Sequence, residues 1–249
     1  TLTPLVEFLR DPQNDLRIYA AQALGEQRDP RAIPPLLAAL NDSDVNVRYH
    51  AIEALGKLRA MDAIEPLLAL ATSDDFFLAF PALDALARIG DPSIAPRIVS
   101  LLQNDLLCAP AADVLGELGD EQVVAPLAAL LNLPAAPTAV IARALVAIYQ
   151  RYETRFGEGA HIADLARGAI SAAGAQNLIT ALDTASDQEL GALAFVLGWL
   201  EGAAVSQWGR TDGMALLLLF SIFLYYTVRD VLSSRGDAFV EEVREKEST

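Results

Sequence analysis

In register along this chain, 29 to 31 residues apart, stand Gln22, Glu53, Asp84 and Asp113, and one helical turn after them come Glu26, Lys57, Arg88 and Glu117. Carboxylates lined up on neighbouring helices suggest either a cation site or a general acid/base pair. The spacing argues against the cation. Calcium loops gather their oxygens within about a dozen residues, whereas these come from separate helices. Glu53–Lys57 and Asp84–Arg88 are i,i+4 pairs in the favourable order, so the expectation is surface ion pairing worth about 0.2–0.5 kcal/mol each. His50 and His161 lie 111 residues apart with no metal-ligand partner nearby, and Cys108 is the only cysteine. That leaves no disulfide framework and no thiolate cluster. With no Ser-His-Asp set, glycine-rich phosphate loop or metal spacing, no intrinsic catalysis, cofactor or metal is expected.

A second row, one turn earlier, is aromatic. Ile18, Tyr49, Phe80 and Ala109 fall together, beside Tyr19, His50, Pro81 and Pro110. Phe77 stands where the preceding unit has Asn46, and Ala79 where it has Arg48, so Phe76-Phe77-Leu78-Ala79-Phe80-Pro81 is more apolar than a half-exposed helix needs. Tyr19, Tyr49, His50, Phe77 and Phe80 are the candidate partner-binding residues, a groove for a helix or peptide. A competing reading makes Phe76 and Phe80 larger core residues around a proline-kinked helix. His50 reads as a surface residue of the groove and not as a catalyst. Arg17 and Arg48 are expected to bond the acidic turns at Asp11, Asp42 and Asp44. Residues 138–156, with Arg143, Arg151, Arg155, Tyr149, Tyr152 and Phe156, form the one locally basic, aromatic stretch. Core packing on one helix face accounts for most of those aromatics, with docking as the alternative.

These rows exist because the chain repeats. Pro4-Leu5-Val6, Pro35-Leu36-Leu37, Pro66-Leu67-Leu68, Pro96-Arg97-Ile98 and Pro126-Leu127 mark one phrase; Ala23-Leu24-Gly25, Ala54-Leu55-Gly56, Ala85-Leu86-Ala87 and Val114-Leu115-Gly116 mark a second at a fixed offset. A period in this range means a solenoid. In residues 29–59, Asp29 is a good N-cap and Pro30 suits the first helical position, where its missing N–H costs nothing. Ile33, Leu36, Leu37 and Leu40 give a first helix of about ten residues with one apolar stripe. Asn41-Asp42-Ser43-Asp44 is a turn. A second helix follows with Val45, Val47, Ala51, Ile52, Ala54 and Leu55 inward. Gly56 allows close approach of the next unit, and Lys57-Leu58 continue the helix. No unit buries its apolar faces alone, so stacking is required.

Asp29-Pro30-x-Ala32-Ile33-x-Pro35-Leu36-Leu37, Val47-Arg48 and Ala54-Leu55-Gly56 resemble HEAT repeats, in the short variety known from phycobilisome lyases. The resemblance implies an all-α solenoid of HEAT-like, armadillo-like helical hairpins with period 29–31, second helices on the concave side, and a protein-binding scaffold. It also leaves open a phycobilin-lyase-like enzyme subunit. The expected division is a solenoid over 1–205 with units at about 1–28, 29–59, 60–90, 91–119, 120–156 and a degenerate 157–205; a linker at 206–212; a hydrophobic, transmembrane helix at 213–232; and an acidic tail at 233–249.

Composition bounds the partners. The chain has 249 residues, 53% apolar, and a formal net charge of −15, with 26 acidic against 13 basic residues before position 206. An acidic solenoid argues against nucleic acid, whose phosphates are held by clustered Lys and Arg. Residues 213–228 carry no charge and no polar stripe. At 1.5 Å per residue such a run reaches about 24 Å against a hydrocarbon core of roughly 30 Å. Snorkelling Arg210 and Arg229 close the gap. Trp208, Leu216, Leu217, Leu218, Leu219, Phe220, Phe223, Tyr225 and Tyr226 are the candidate membrane anchors. The alternative is a capping helix buried under a neighbour.

Arg210-Thr211-Asp212-Gly213 with the following apolar run also resembles one transmembrane helix of the cation/calcium antiporters, though that family's ion-binding signatures are absent. This allows a regulatory solenoid fragment of a transporter. Arg229, Arg235, Arg244 and Lys246 after the run favour a cytoplasmic tail, while the family resemblance favours a cytoplasmic solenoid, which is the expectation adopted. Thr1 falls mid-repeat without a Met, so the chain is read as a fragment. The reading as a whole is a non-catalytic, membrane-tethered scaffold that binds a protein partner on the concave face of its second helices.

Overall fold

The computed structural model describes residues 2–73 and 75–204. The expected linker, the hydrophobic helix with its anchors from Trp208 to Tyr226, and the acidic tail lie outside the described residues. Thirteen α-helices make up the described part, in which no strand occurs. They pair as α1 (Leu2–Phe8) with α2 (Asn14–Gln27), α3 (Ile33–Ala39) with α4 (Val45–Lys57), α5 (Ile64–Ala71) with α6 (Phe76–Ile89), α7 (Ala95–Ile98) with α8 (Cys108–Leu118), and α9 (Glu121–Leu130) with α10 (Thr138–Phe156). Helices α11 (Gly159–Ala169), α12 (Ala172–Leu182) and α13 (Asp187–Ala204) follow.

The caps explain where the helices begin. Asp29 accepts the Arg31 amide and Pro30 opens a 3-10 turn, Pro30–Ala32, that runs into α3. Asp91 and Pro92 repeat the device before α7, with the Ser93 amide as donor. Asp44 accepts the amides of Asn46 and Val47 at the start of α4. Each cap satisfies N–H groups that the helix itself leaves unpaired. Where the next unit must turn back, residues 28, 59 and 90 all adopt positive φ (51°, 50° and 83°). Only the third of them is glycine, which takes that conformation without steric cost.

Leu24, Leu55, Leu86, Leu115 and Leu145 form a fully buried row along the second helices, faced by Leu36, Leu67, Ile98 and Leu127 on the first helices. Each such burial is worth about 1.5–3 kcal/mol, and one continuous core results. Helices α2, α4 and α6 pack along their length on one another, as do α8 and α10, while α1, α3, α5 and α7 touch each other little. The second helices thus form one closely packed layer from α2 to α6. The Gly56 expectation holds: a Cβ there would stand 2.8 Å from the Ala85 Cα. Helix α4 continues to Lys57.

Candidate partner-binding face

The aromatic row lies on the exposed side of the second helices. Phe76 (36%), Phe77 (51%) and Phe80 (44%) are all exposed. The reading of Phe76 and Phe80 as core residues is therefore corrected: α6 buries Leu78, Ala79, Pro81, Ala82 and Leu83 instead, and the phenylalanines take the opposite side of the helix. Tyr49 brings the site together. Its ring lies 5.5 Å from Phe77 and 5.1 Å, edge on, from His50. His50 Nδ1 lies 2.9 Å from a Glu53 carboxylate oxygen, and its ring nitrogens lie within 3.3 Å of the Gln22 amide nitrogen. Half-buried and held between two helices, His50 is a structural part of the face. Tyr19 is 60% exposed on α2 and makes no ring contact with the others among the described residues.

Most of the carboxylate row resolves into ion pairs, two of them between repeats. Lys57 bonds Glu26 at 2.6 Å and Arg143 bonds Asp113 at 2.5 Å, each across one repeat. The expected Glu53–Lys57 pair is not formed: Lys57 reaches back to α2, and Glu53 takes His50. Arg88 and Asp84 do pair along α6, at 2.7 Å. The Lys57 contact is the first cause that holds the Glu26 carboxyl below its ordinary range. No metal-binding cluster of His, Cys, Asp or Glu occurs among the described residues.

Arg17 behaves as expected. Buried at the end of the first turn, it grips Asp42 with two bonds of 2.8 Å and donates to the Asp11 and Pro12 carbonyls. Burial acts to raise the Asp42 carboxyl, but the Arg17 bond, the Asp44 amide and the Arg17 charge outweigh it and hold it low. Arg48 departs from the pattern: its Nε is buried without a partner among the described residues. The register of Asp42 is occupied in the next turn by Ser73, which cannot supply a carboxylate.

The basic stretch at 138–156 is mostly consumed inside the fold. Arg151 donates to the carbonyls of Gly116 (2.9 Å), Glu117 (2.8 Å) and Gly119, closing the C-terminus of α8. Tyr149 packs against Phe195 and Trp199 of α13, and the Tyr152 hydroxyl accepts the Glu121 amide. Packing thus takes up Tyr149 and Tyr152, as expected, whereas Phe156 stays 58% exposed. Asn132, which gave no signal in the sequence, ties the turn after α9 to later helices through the Ala169 carbonyl and the Ser171 amide.

Between α6, α8 and α10 the same face opens into a cleft of about 630 Å³. Phe80, Leu83, Ala87, Pro110 and Val114 supply apolar lining, and Asp84, Asp113, Glu117 and Arg143 the charged part. Sequence reading missed it, although the signal was present: Ala87 stands where three other units have Gly, and Val114 where the others have Ala.

Residues 2–80 match the family model of HEAT repeats, and residues 111–132 match the PBS lyase HEAT-like repeat. The chain carries HEAT-type repeats over those residues. No curated protein matches its sequence. Solved structures match its fold. The complex of CpcE and CpcF of phycocyanin lyase from Nostoc sp. is similar at 20% identity and TM-score 0.53, covering 90% of this chain and 94% of that one. An engineered protein is similar at 20% identity and TM-score 0.54, covering 81% and 96%. A designed armadillo repeat protein is similar at 18% identity and TM-score 0.53, covering 80% and 100%. At these identities the likeness is one of fold: an all-α HEAT/armadillo-like solenoid.

Proposed function

We propose that this chain is a non-catalytic interaction scaffold that binds a protein partner on the concave face of its second helices, with Tyr19, Tyr49, His50, Phe77 and Phe80 as contact residues. One observation carries the reading. The second helices expose Phe76, Phe77 and Phe80 together, with Phe77 where the preceding repeat carries Asn46, and aromatic anchors dominate protein interfaces. A core role would have buried them. The second part of the reading is a bilayer tether through residues 213–232, with the solenoid on the cytoplasmic side. Its support is the charge-free run in the sequence; among the described residues no helix is long and apolar enough to cross a membrane. The solenoid extends to position 205 in this reading and the tail from 233.

The test is capture of partners by the detergent-solubilised chain, followed by their identification, with Tyr49→Ala/Phe77→Ala/Phe80→Ala in parallel. Loss of a specific partner from the triple variant supports the face, and equal capture by both proteins rules it out. A phycobilin-lyase subunit is the alternative, resting on the fold likeness to phycocyanin lyase; bilin-dependent absorbance on mixing with a tetrapyrrole would favour it.

A further inference from the structure

Successive second helices stack through a glycine on an alanine. A Cβ at Gly25 would meet Ala54, one at Gly56 would meet Ala85, and one at Gly116 would meet Ala144, all within 3.0 Å. In that register α6 offers Ala87 and α8 offers Val114, both larger than the pair they replace. Of the successive second-helix pairs from α2 to α10, α6 and α8 are the least closely packed. The cleft of about 630 Å³ lies at this join and is lined by both residues. A wedge of three extra carbons, one at Ala87 and two at Val114, thus parts two helices that the rest of the chain holds together.

Its chemistry is uneven. The floor is apolar, and the volume exceeds what one side chain fills. Asp84 and Asp113 on the rim are paired with Arg88 and Arg143, whereas Glu117 is exposed and holds no ion pair among the described residues. The Phe80 ring, 44% exposed, stands at the edge of the cleft, where its face attracts a cation.

Resting on the scaffold reading above, we infer that this cleft receives apolar side chains from one face of a cationic amphipathic helix belonging to the protein partner. An apolar floor takes residues spaced i, i+3 and i+4, as helix-in-groove recognition requires. An acidic rim with one unpaired carboxylate favours Lys or Arg beside them and repels an acidic helix.

The probe is a synthetic helical peptide of Leu and Lys with a photo-reactive leucine, compared with a Leu/Glu peptide of the same pattern. Each is cross-linked to the full chain, and labelled residues are mapped by mass spectrometry. The Leu/Lys peptide should label α6, α8 and α10 around the cleft, and the Leu/Glu peptide should not. Ala147→Phe, which fills the cleft from a half-buried position on α10, should lower labelling roughly tenfold. Glu117→Lys, on the exposed rim, should raise the half-saturating concentration by on the order of tenfold. Circular dichroism checks that both variants keep their helices, and Glu117→Lys alone decides the matter if Ala147→Phe does not fold. Equal labelling by both peptides, or labelling indifferent to Glu117→Lys, overturns the inference. Labelling confined to the region of Tyr49 and Phe77 overturns the cleft and leaves the scaffold reading standing. Cleft labelling together with partner capture that ignores Tyr49, Phe77 and Phe80 overturns that reading's aromatic site instead.

Discussion

Gly56 lies so close to Ala85 of the next repeat that a Cβ at position 56 would stand 2.8 Å from the Ala85 Cα and 2.9 Å from its Cβ. The contact is backbone against backbone, so no side chain can rotate to relieve it. It sets the spacing between α4 and α6 and, through Gly25 on Ala54, the same spacing one repeat earlier. Where Ala87 and Val114 replace this pair, the helices part and a cleft opens beside them.

Gly56→Val should destabilise the chain toward the upper end of about 1–3 kcal/mol, the usual cost of overpacking. Gly198→Ala is the control: nothing lies within 4 Å of a Cβ there, in the interior of α13. It should stabilise by roughly 0.5–1 kcal/mol through helix propensity alone. Urea midpoints of the two variants check the contrast. Loss in both would show that the close approach is not what governs position 56.

Acid should weaken the stack through the turn carboxylates. Arg17 and the Asp44 amide hold Asp42 below its ordinary value against the opposing effect of burial, and the Arg31 side chain and then its amide hold Asp29 at about 2. A carboxyl whose folded pKa is depressed contributes stability above its unfolded pKa and loses it as pH falls through the folded one. The loss therefore begins near pH 4, about the unfolded aspartate value, and for Asp29 runs down to about pH 2. Asp42→Asn should cost about 1.5–3 kcal/mol at neutral pH by leaving Arg17 without its charged partner, and should flatten the acid limb of a denaturation series. An unchanged limb would show that this pair does not carry the dependence.

Arg151→Lys keeps the charge and loses the fork. Three carbonyls at the end of α8 share one guanidinium, and an ammonium on a flexible stem cannot reach all of them in the same geometry. A fall in stability of about 1–3 kcal/mol is expected, read by thermal denaturation. Wild-type stability in the variant would mean that the carbonyls find other donors.

Tyr49→Ala, Phe77→Ala and Phe80→Ala together should weaken partner affinity by about 2 kcal/mol or more while leaving helical circular dichroism nearly unchanged. Phe77 and Phe80 are exposed, so their truncation opens no core cavity. A large fall in melting temperature would instead show that these rings hold the fold.

Leu218→Arg places a charge near the middle of the charge-free run. Insertion should worsen by about 2.5–3.5 kcal/mol on translocon scales, seen as loss of carbonate-resistant membrane sedimentation. If the parent chain sediments with membranes no better than this variant, the tether is not a membrane helix.

The sequence alone determined the solenoid, the Asp-Pro caps and the glycine at the close approach. Each depends on interactions within one repeat or between identical neighbours, so a phrase that recurs every 29 to 31 residues carries it. It also singled out Phe77, which stands where the preceding unit has Asn46, because a break in a repeating pattern is visible against its own copies. Tertiary structure decided what no single repeat encodes. Lys57 chose Glu26 over Glu53 because the adjacent helix brings that carboxylate to 2.6 Å, and local spacing cannot rank a neighbour along the helix against one across the groove. Phe76 and Phe80 lie at the surface because the packed face of α6 is the one that carries Leu78, Ala79, Pro81, Ala82 and Leu83. The cleft needed two substitutions on different helices, Ala87 and Val114, to fall opposite each other, and only the stacking of α6 on α8 brings them together.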